Sequence, residues 1–374
     1  MLSNRGYMTE IKENDVKELV LSETKIADKR DFEKDFLEVL KMISPGTSIR
    51  SGLDDLLNAE MGALVVFENE QTPNITEKGF RINAKFSPQR LVELAKMDGA
   101  IILSREGKKI LHANALLFPS VEIQTKETGT RHKAAERTAK QTKALVIAVS
   151  ERKNKITVYW GDTRYELKES SEILRRASET LQVLEKQRDI YDYLLNNLNL
   201  LEMGGLVTIN DVCNVIQRLE MIKRISGIVK RYLIELGKEG IVISMRLKEL
   251  IGNLNKDEET ILRDYFSLKY MSAMDMLEKM NFDFLLESSN ISRLLFEEMY
   301  DKQIAPQGIR LLGKTKLLER HVNELIVKFS NFNEIVSARH EDLLVVFEKT
   351  EAVEFFNKEI SRLRERVLMG KDMR

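Results

Sequence analysis

The chain has 374 residues, with 59 Lys+Arg balanced by 59 Asp+Glu, 43% hydrophobic and 32% charged residues. That length exceeds one ordinary core and predicts two or three helix-rich domains, while the balanced charge excludes bulk attraction to nucleic acid or an anionic membrane and leaves only local patches. A single cysteine, Cys213, excludes an internal disulfide or a cysteine-based metal cage and points to a reducing cytoplasm, and neither a bilayer-spanning apolar run nor an apolar leader segment is present.

Residues 1–30 are charged and weakly periodic, and read as an extension or one peripheral helix. From about 31, Phe36, Leu37, Val39, Leu40, Met42 and Ile43 recur near helical spacing until Ser44-Pro45-Gly46 stops them. Leu53 to Met61 reads as a second helix and Ala63 to Phe67 as a buried strand. Gly99 to Leu103, Lys109 to Ala113, Leu145 to Ser150 and Lys155 to Trp160 add strand signals, with helical stretches between several of them. This alternation predicts an α/β domain over 31–168. Beyond it, Leu174, Ala177, Leu181, Leu184, Tyr191, Leu195 and Leu198 repeat near a helical period, which predicts one long packed helix ended by Met203-Gly204-Gly205. The pattern stays helical to about Tyr300, giving a spine over 169–304. Ala305-Pro306-Gln307-Gly308 marks the next boundary, and 305–374 reads as a cluster of short helices.

Three segments carry chemistry. Asp98-Gly99-Ala100 lies where a helix passes into a strand; an Asp there can hold a divalent cation or take a proton from a hydroxyl, and Gly99 lets a nucleotide approach the backbone. Glu127-Thr128-Gly129-Thr130-Arg131-His132-Lys133-Ala134 is a glycine-containing loop entering a helix. Free N–H groups make such a helix start an anion site. Cationic side chains in the first turn oppose the helix dipole unless a bound anion resolves the conflict. The third segment, Gly308-Ile309-Arg310-Leu311-Leu312-Gly313-Lys314-Thr315, fits the phosphate-loop pattern literally. It lacks a preceding core strand, and its bulky interior does not suit a backbone cradle, so coincidence is the preferred reading over a P-loop nucleoside triphosphatase using Lys314 in Gly308–Thr315.

The first two segments together resemble the diadenylate cyclase family, whose signatures are Asp-Gly-Ala and, some thirty residues later, Arg-His-Arg. Ser44-Pro45-Gly46-Thr47, Met61-Gly62-Ala63-Leu64, Phe86-Ser87-Pro88, Val207-Thr208-Ile209 and the 308–312 region extend the resemblance over about 31–370, closest to the DNA-integrity-scanning branch. The resemblance implies an α/β cyclase domain with a mixed sheet flanked by helices, a helical spine and a C-terminal helix-hairpin-helix domain, assembled as a homo-octamer with cyclase domains face to face. It implies condensation of two ATP into cyclic di-AMP. Asp98 would bind Mg²⁺ or Mn²⁺ and help activate a hydroxyl. Gly99, Ala100 and Leu117 would line the nucleotide, with Ser150 a further pocket residue and Ala134 also among the ATP-binding positions, and Thr130, Arg131, His132 and Lys133 would hold the phosphates; Asp98, Arg131, His132 and Lys133 would be the catalytic set. Lys133 departs from the Arg-His-Arg signature: it keeps the charge and loses the bidentate fork. Glu348-Lys349-Thr350 stands where the family hairpin carries Gly-Ile-Gly for DNA, so DNA binding is expected to be weak, with Arg362, Arg364 and Arg366 as a separate basic patch.

Overall fold

The computed structural model describes residues 35–77, 79–266, 269–296 and 301–370; the extension read over 1–30 lies outside the described residues. The contacts divide the chain into two compact units. One gathers the described residues up to Arg175 together with Tyr232–Ile241, and the other joins Arg176–Arg231 to the residues from Val242 onward.

In chain order the first unit contains α1 (Ser48–Asn58), β1 (Ala63–Phe67), β2 (Thr76–Glu77), β3 (Phe80–Lys85), α2 (Pro88–Ala95), β4 (Ala100–Leu103), β5 (Lys109–Leu117), α3 (Thr130–Thr142), β6 (Leu145–Ser150), β7 (Lys155–Trp160) and β8 (Thr163–Glu166). Thr47 and Ser87 cap α1 and α2 by accepting from Arg50 and Arg90 backbone N–H groups, and Pro88 suits the first helical position. The strands form one mixed sheet in the order β2-β5-β4-β1-β6-β7-β8, with β3 also on β5. β1 pairs parallel with β4, Val65 opposite Ile101, and antiparallel with β6, Ala63 opposite Val149. Ala100 of β4 faces Ala115 of antiparallel β5. The starts of β1 and β4 therefore share one sheet edge with the ends of β5 and β6.

Alternate residues on each strand face opposite sides, and here both sides are apolar. Val65, Phe67, Ile101, Leu103, Ile147, Val149, Ile156 and Val158 join Leu53 and Leu56 of α1 and Leu91 of α2 in one core. Leu64, Val66, Ala100, Ile102, Ala115, Val146, Ala148 and Tyr159 pack on Ala135 and Ala139 of α3. Burying apolar area on both faces stabilises the sheet by about 25 cal/mol per Å². Alanines in the second layer leave little bulk between α3 and the sheet.

The second unit is helical. α4 (Ser170–Gly204) contributes the expected stripe, with Ala177, Leu181, Leu184, Tyr191 and Leu198 buried. Gly205 follows at φ +66, the left-handed backbone that ends helices. α5 (Ile209–Leu236) leads to shorter helices, and no helix among the described residues is long and apolar enough to cross a membrane. The stretches read as 169–304 and 305–374 share this one unit. Buried Arg310 pairs with Glu202 at 2.5 Å and donates to Asn199, both on α4. Fully buried Asp264 accepts the backbone N–H groups of Gly308, Ile309 and Arg310 at 2.9, 2.6 and 3.1 Å.

Candidate active site

α2 ends at Ala95, and the chain turns through Met97-Asp98-Gly99 into β4. Gly99 has φ +89, and a Cβ there would lie 2.8 Å from the Ala115 carbonyl oxygen. Glycine is thus required both by backbone conformation and by space. The turn leaves the Asp98 carboxylate exposed at the sheet edge where β4 begins. Ala100 is buried in the layer beneath α3, so its side chain belongs to the core. Leu117, half-buried at the end of β5, packs against the same layer. Ser150 closes β6 beside Val149, the partner of Ala63, and its Oγ accepts the Lys153 N–H at 3.4 Å.

The loop before α3 is tied back onto that helix. Arg137 Nε donates to the Ile123 carbonyl at 3.0 Å, Lys140 Nζ to the Gln124 carbonyl at 3.0 Å, and Thr125 to Glu136. α3 starts at Thr130, with Gly129 extended before it, no side chain capping the first turn and no acidic residue in it. The N–H groups of that first turn therefore carry no side-chain cap, which leaves them open to an anionic ligand. Arg131 reaches back across Gly62, where a Cβ would overlap its Nη1, so the guanidinium sits at the start of β1. Thr130 is exposed, Lys133 is half-buried, and half-buried Ala134 packs on the layer below.

His132 turns inward. Its Nδ1 lies 3.0 Å from Tyr159 Oη, Tyr159 donates to Glu127 Oε1 at 2.8 Å, and Arg164 Nε donates to the same oxygen at 2.6 Å. Burial pushes the His132 imidazole below its ordinary value; Glu127 opposes this, while Arg164, Lys153 and Arg131 push the same way as burial. Burial would raise Glu127, but hydrogen bonds from Arg164 and Tyr159 outweigh it and hold the carboxyl below the usual range. Burial and the Glu127 hydrogen bond raise the Tyr159 phenol.

The register thus gathers Asp98, Gly99, Leu117, Ser150 and the Arg131 seat at one sheet edge. Tyr159, Arg164 and the role of Gly62 escape a reading of the sequence. The available signal is Tyr159 itself, a polar-tipped ring on the strand face otherwise lined by alanine and aliphatic side chains. Among the described residues no three His, Cys, Asp or Glu side chains form a metal cluster. A cation at this edge would rest on Asp98 and on oxygens of its ligand, as Mg²⁺ commonly does.

The phosphate-loop match is a different object. Gly308 has φ +96, Ile309–Leu312 forms one helical turn with Leu311 and Leu312 buried, and the N–H groups hold Asp264. At the C-terminus, helix His340–Phe347 ends at Glu348 with φ +59, and Lys349 precedes helix Thr350–Leu368. Arg362 pairs with Glu359 at 2.6 Å and Arg366 donates to the Lys314 carbonyl at 3.0 Å, so two of the three arginines of the expected basic patch have partners within the chain.

Comparison with known proteins agrees with this architecture. The family model described as DisA bacterial checkpoint controller nucleotide-binding matches residues 50–163, and that of the DisA bacterial checkpoint controller linker region matches 167–303. The fold, the sheet-edge site and these matches define the class: a diadenylate cyclase with an attached helical linker. DNA integrity scanning protein DisA of Clostridioides difficile is 45% identical over 318 residues, covering 83% of this chain and 89% of that protein. Its counterpart in Acetivibrio thermocellus is 43% identical over 323 residues, covering 84% and 90%. The chain belongs to the DisA family. A crystal structure of a DacA double mutant from Staphylococcus aureus matches at 27% identity, covering 36% of this chain and 88% of that one, with a TM-score of 0.27.

Proposed function

We propose that this chain is a nucleotidyltransferase that condenses two ATP into cyclic di-AMP and two pyrophosphates, each ATP held at the sheet edge of one cyclase domain facing another. The observation that supports it most is the placement of exposed Asp98 and the uncapped, basic start of α3 at one edge. The α3 N–H groups, Thr130, Arg131 and Lys133 hold the triphosphate. Asp98 orients the attacking 3′-hydroxyl and assists loss of its proton. The new bond joins that oxygen to the α-phosphorus of the other ATP, the α–β bridging bond breaks, and pyrophosphate leaves; the step repeats with roles exchanged. One edge holds one nucleotide, so the reaction needs a second domain, which favours a self-assembly such as an octamer. Mg²⁺ or Mn²⁺, held by Asp98 and phosphate oxygens, would neutralise charge at the reacting phosphorus. A cytoplasmic setting suits an ATP substrate and the buried free Cys213.

The test is incubation with ATP and Mn²⁺ followed by chromatographic identification of the product. Asp98→Asn abolishes cyclic di-AMP synthesis while leaving fold and assembly intact, and Lys314→Ala leaves synthesis unchanged. Wild-type turnover in Asp98→Asn would sink the assignment, and loss of turnover in Lys314→Ala would revive the phosphate-loop reading.

A further inference from the structure

We propose that Tyr159 and Glu127 are positioning residues that fix His132 in one tautomer, with the proton on Nδ1, so that Nε2 is the nitrogen offered to the nucleotide. The inference rests on the cyclase reading for its effect on turnover, but not for the tautomer itself.

The hydrogens around Tyr159 Oη decide the tautomer. Tyr159 has one hydroxyl hydrogen, and two groups compete for its Oη: Glu127 Oε1 at 2.8 Å and His132 Nδ1 at 3.0 Å. A carboxylate can only accept. Glu127 is held in that form by Arg164 at 2.6 Å, so the hydroxyl hydrogen goes to Glu127. Tyr159 Oη is then an acceptor toward His132, and Nδ1 must carry the hydrogen. This runs against the preference of a free imidazole, whose favoured neutral tautomer carries the proton on Nε2. The lowered His132 affinity for protons, caused first by burial, favours the neutral ring, the form in which the choice of tautomer matters.

The chain of contacts spans four elements: Arg164 on β8, Glu127 in the loop before α3, Tyr159 on β7 and His132 in the first turn of α3. Each is fixed by its own backbone, so the imidazole is oriented by the sheet rather than by the helix that carries it. With Nδ1 engaged, Nε2 is the ring nitrogen left to accept a proton or, once protonated, to donate to a phosphate oxygen. A ring free to flip would present either nitrogen, in either state, and would lose alignment with the triphosphate.

Tyr159→Phe removes the acceptor and keeps the ring packed, and Glu127 retains Arg164, so no buried charge is stranded. Magic-angle-spinning ¹⁵N spectra of the histidine-labelled full chain, without nucleotide, separate the two tautomers; His132→Asn assigns the signal among the four histidines. The wild type shows the Nδ1–H tautomer, and Tyr159→Phe shifts toward Nε2–H. Turnover in Tyr159→Phe falls roughly tenfold, the scale of one lost hydrogen bond in the transition state, with KM for ATP and the melting temperature little changed. A purely structural role would move the melting temperature instead. An Nε2–H ring in the wild type, or wild-type turnover in Tyr159→Phe, overturns the proposal. Absence of any cyclic di-AMP from the wild type overturns the cyclase reading and leaves the tautomer assignment to stand on the spectra.

Discussion

Gly62 is a glycine for room rather than for backbone conformation, since its φ is not among the positive ones. A methyl group there would overlap the Arg131 guanidinium. The obstacle is the far end of a long side chain, so Gly62→Ala displaces Arg131 without breaking the sheet. The expected outcome is a melting temperature near wild type and a loss of cyclic di-AMP synthesis of roughly tenfold or more, the scale of a displaced charge-assisted contact. An unchanged rate would show that Arg131 works from another position. Lys133 stands at the third signature position, half-buried in the first turn of the same helix. Lys133→Arg restores a bidentate fork at unchanged charge and preserves or raises activity in steady-state assays at equal ATP and metal; a large loss would mean that the site has adapted to lysine. The types of both residues were legible as a motif. The Gly62–Arg131 and His132–Tyr159 contacts were not, because each joins separate elements and no local spacing records it.

At the scale of elements, β1, β4 and β6 were legible because each is a largely aliphatic run buried on both faces, and β7 because β-branched and aromatic residues fill its buried stretch. β3 and β8 were not. They lie toward the sheet's outer limits, half-buried or exposed, and their charged residues, such as Arg81, Lys85, Arg164 and Glu166, conceal the alternation. β5 runs on to Leu117, past Asn114 at φ +52, where an apolar pattern is interrupted. The C-terminal hairpin keeps its bend even without glycine: Glu348 adopts the left-handed backbone itself, its N–H bonded to Leu344. A non-glycine residue there is strained. Glu348→Gly should stabilise the chain by about 0.5–1 kcal/mol, after allowing for the greater freedom of glycine when unfolded, as read in denaturant titrations. The same change removes a carboxylate from the apex where a DNA phosphate would sit. The full wild-type chain is expected to bind branched and linear duplexes weakly at moderate salt, and Glu348→Gly more tightly. Tight binding by the wild type with a steep salt dependence would contradict this.

At the scale of the whole molecule, the change from a strand-bearing to a helical texture near 168 was legible in the sequence. The return of Tyr232–Ile241 to the first unit was not. Ile234 packs on the sheet's first core and Tyr165 donates to Glu235, contacts that helical periodicity cannot announce. The second unit has its own long-range tie in Arg310, Glu202 and Asp264. Removing one partner of a buried charged group typically costs about 3–5 kcal/mol. A chain ending at residue 304 is therefore expected to lose protection from limited proteolysis throughout Arg176–Arg231 and beyond Val242, while the sheet-bearing unit stays resistant. Retained protection of the helical unit would show that the tie is dispensable.

That tie also limits how the chain can be recombined. The linker family match stops at residue 303, which makes the following stretch look exchangeable between relatives. Yet the Asp264 carboxylate fills the turn at Gly308–Arg310 as a tethered counterion, and Glu202 neutralises Arg310 from α4. A chimera spliced at 304 would take its acids from one parent and its cation from the other. It would remain sound only where both parents carry the same set of complementary charges, so the seam that suits an exchange of parts lies earlier in the chain, before the acids of α4.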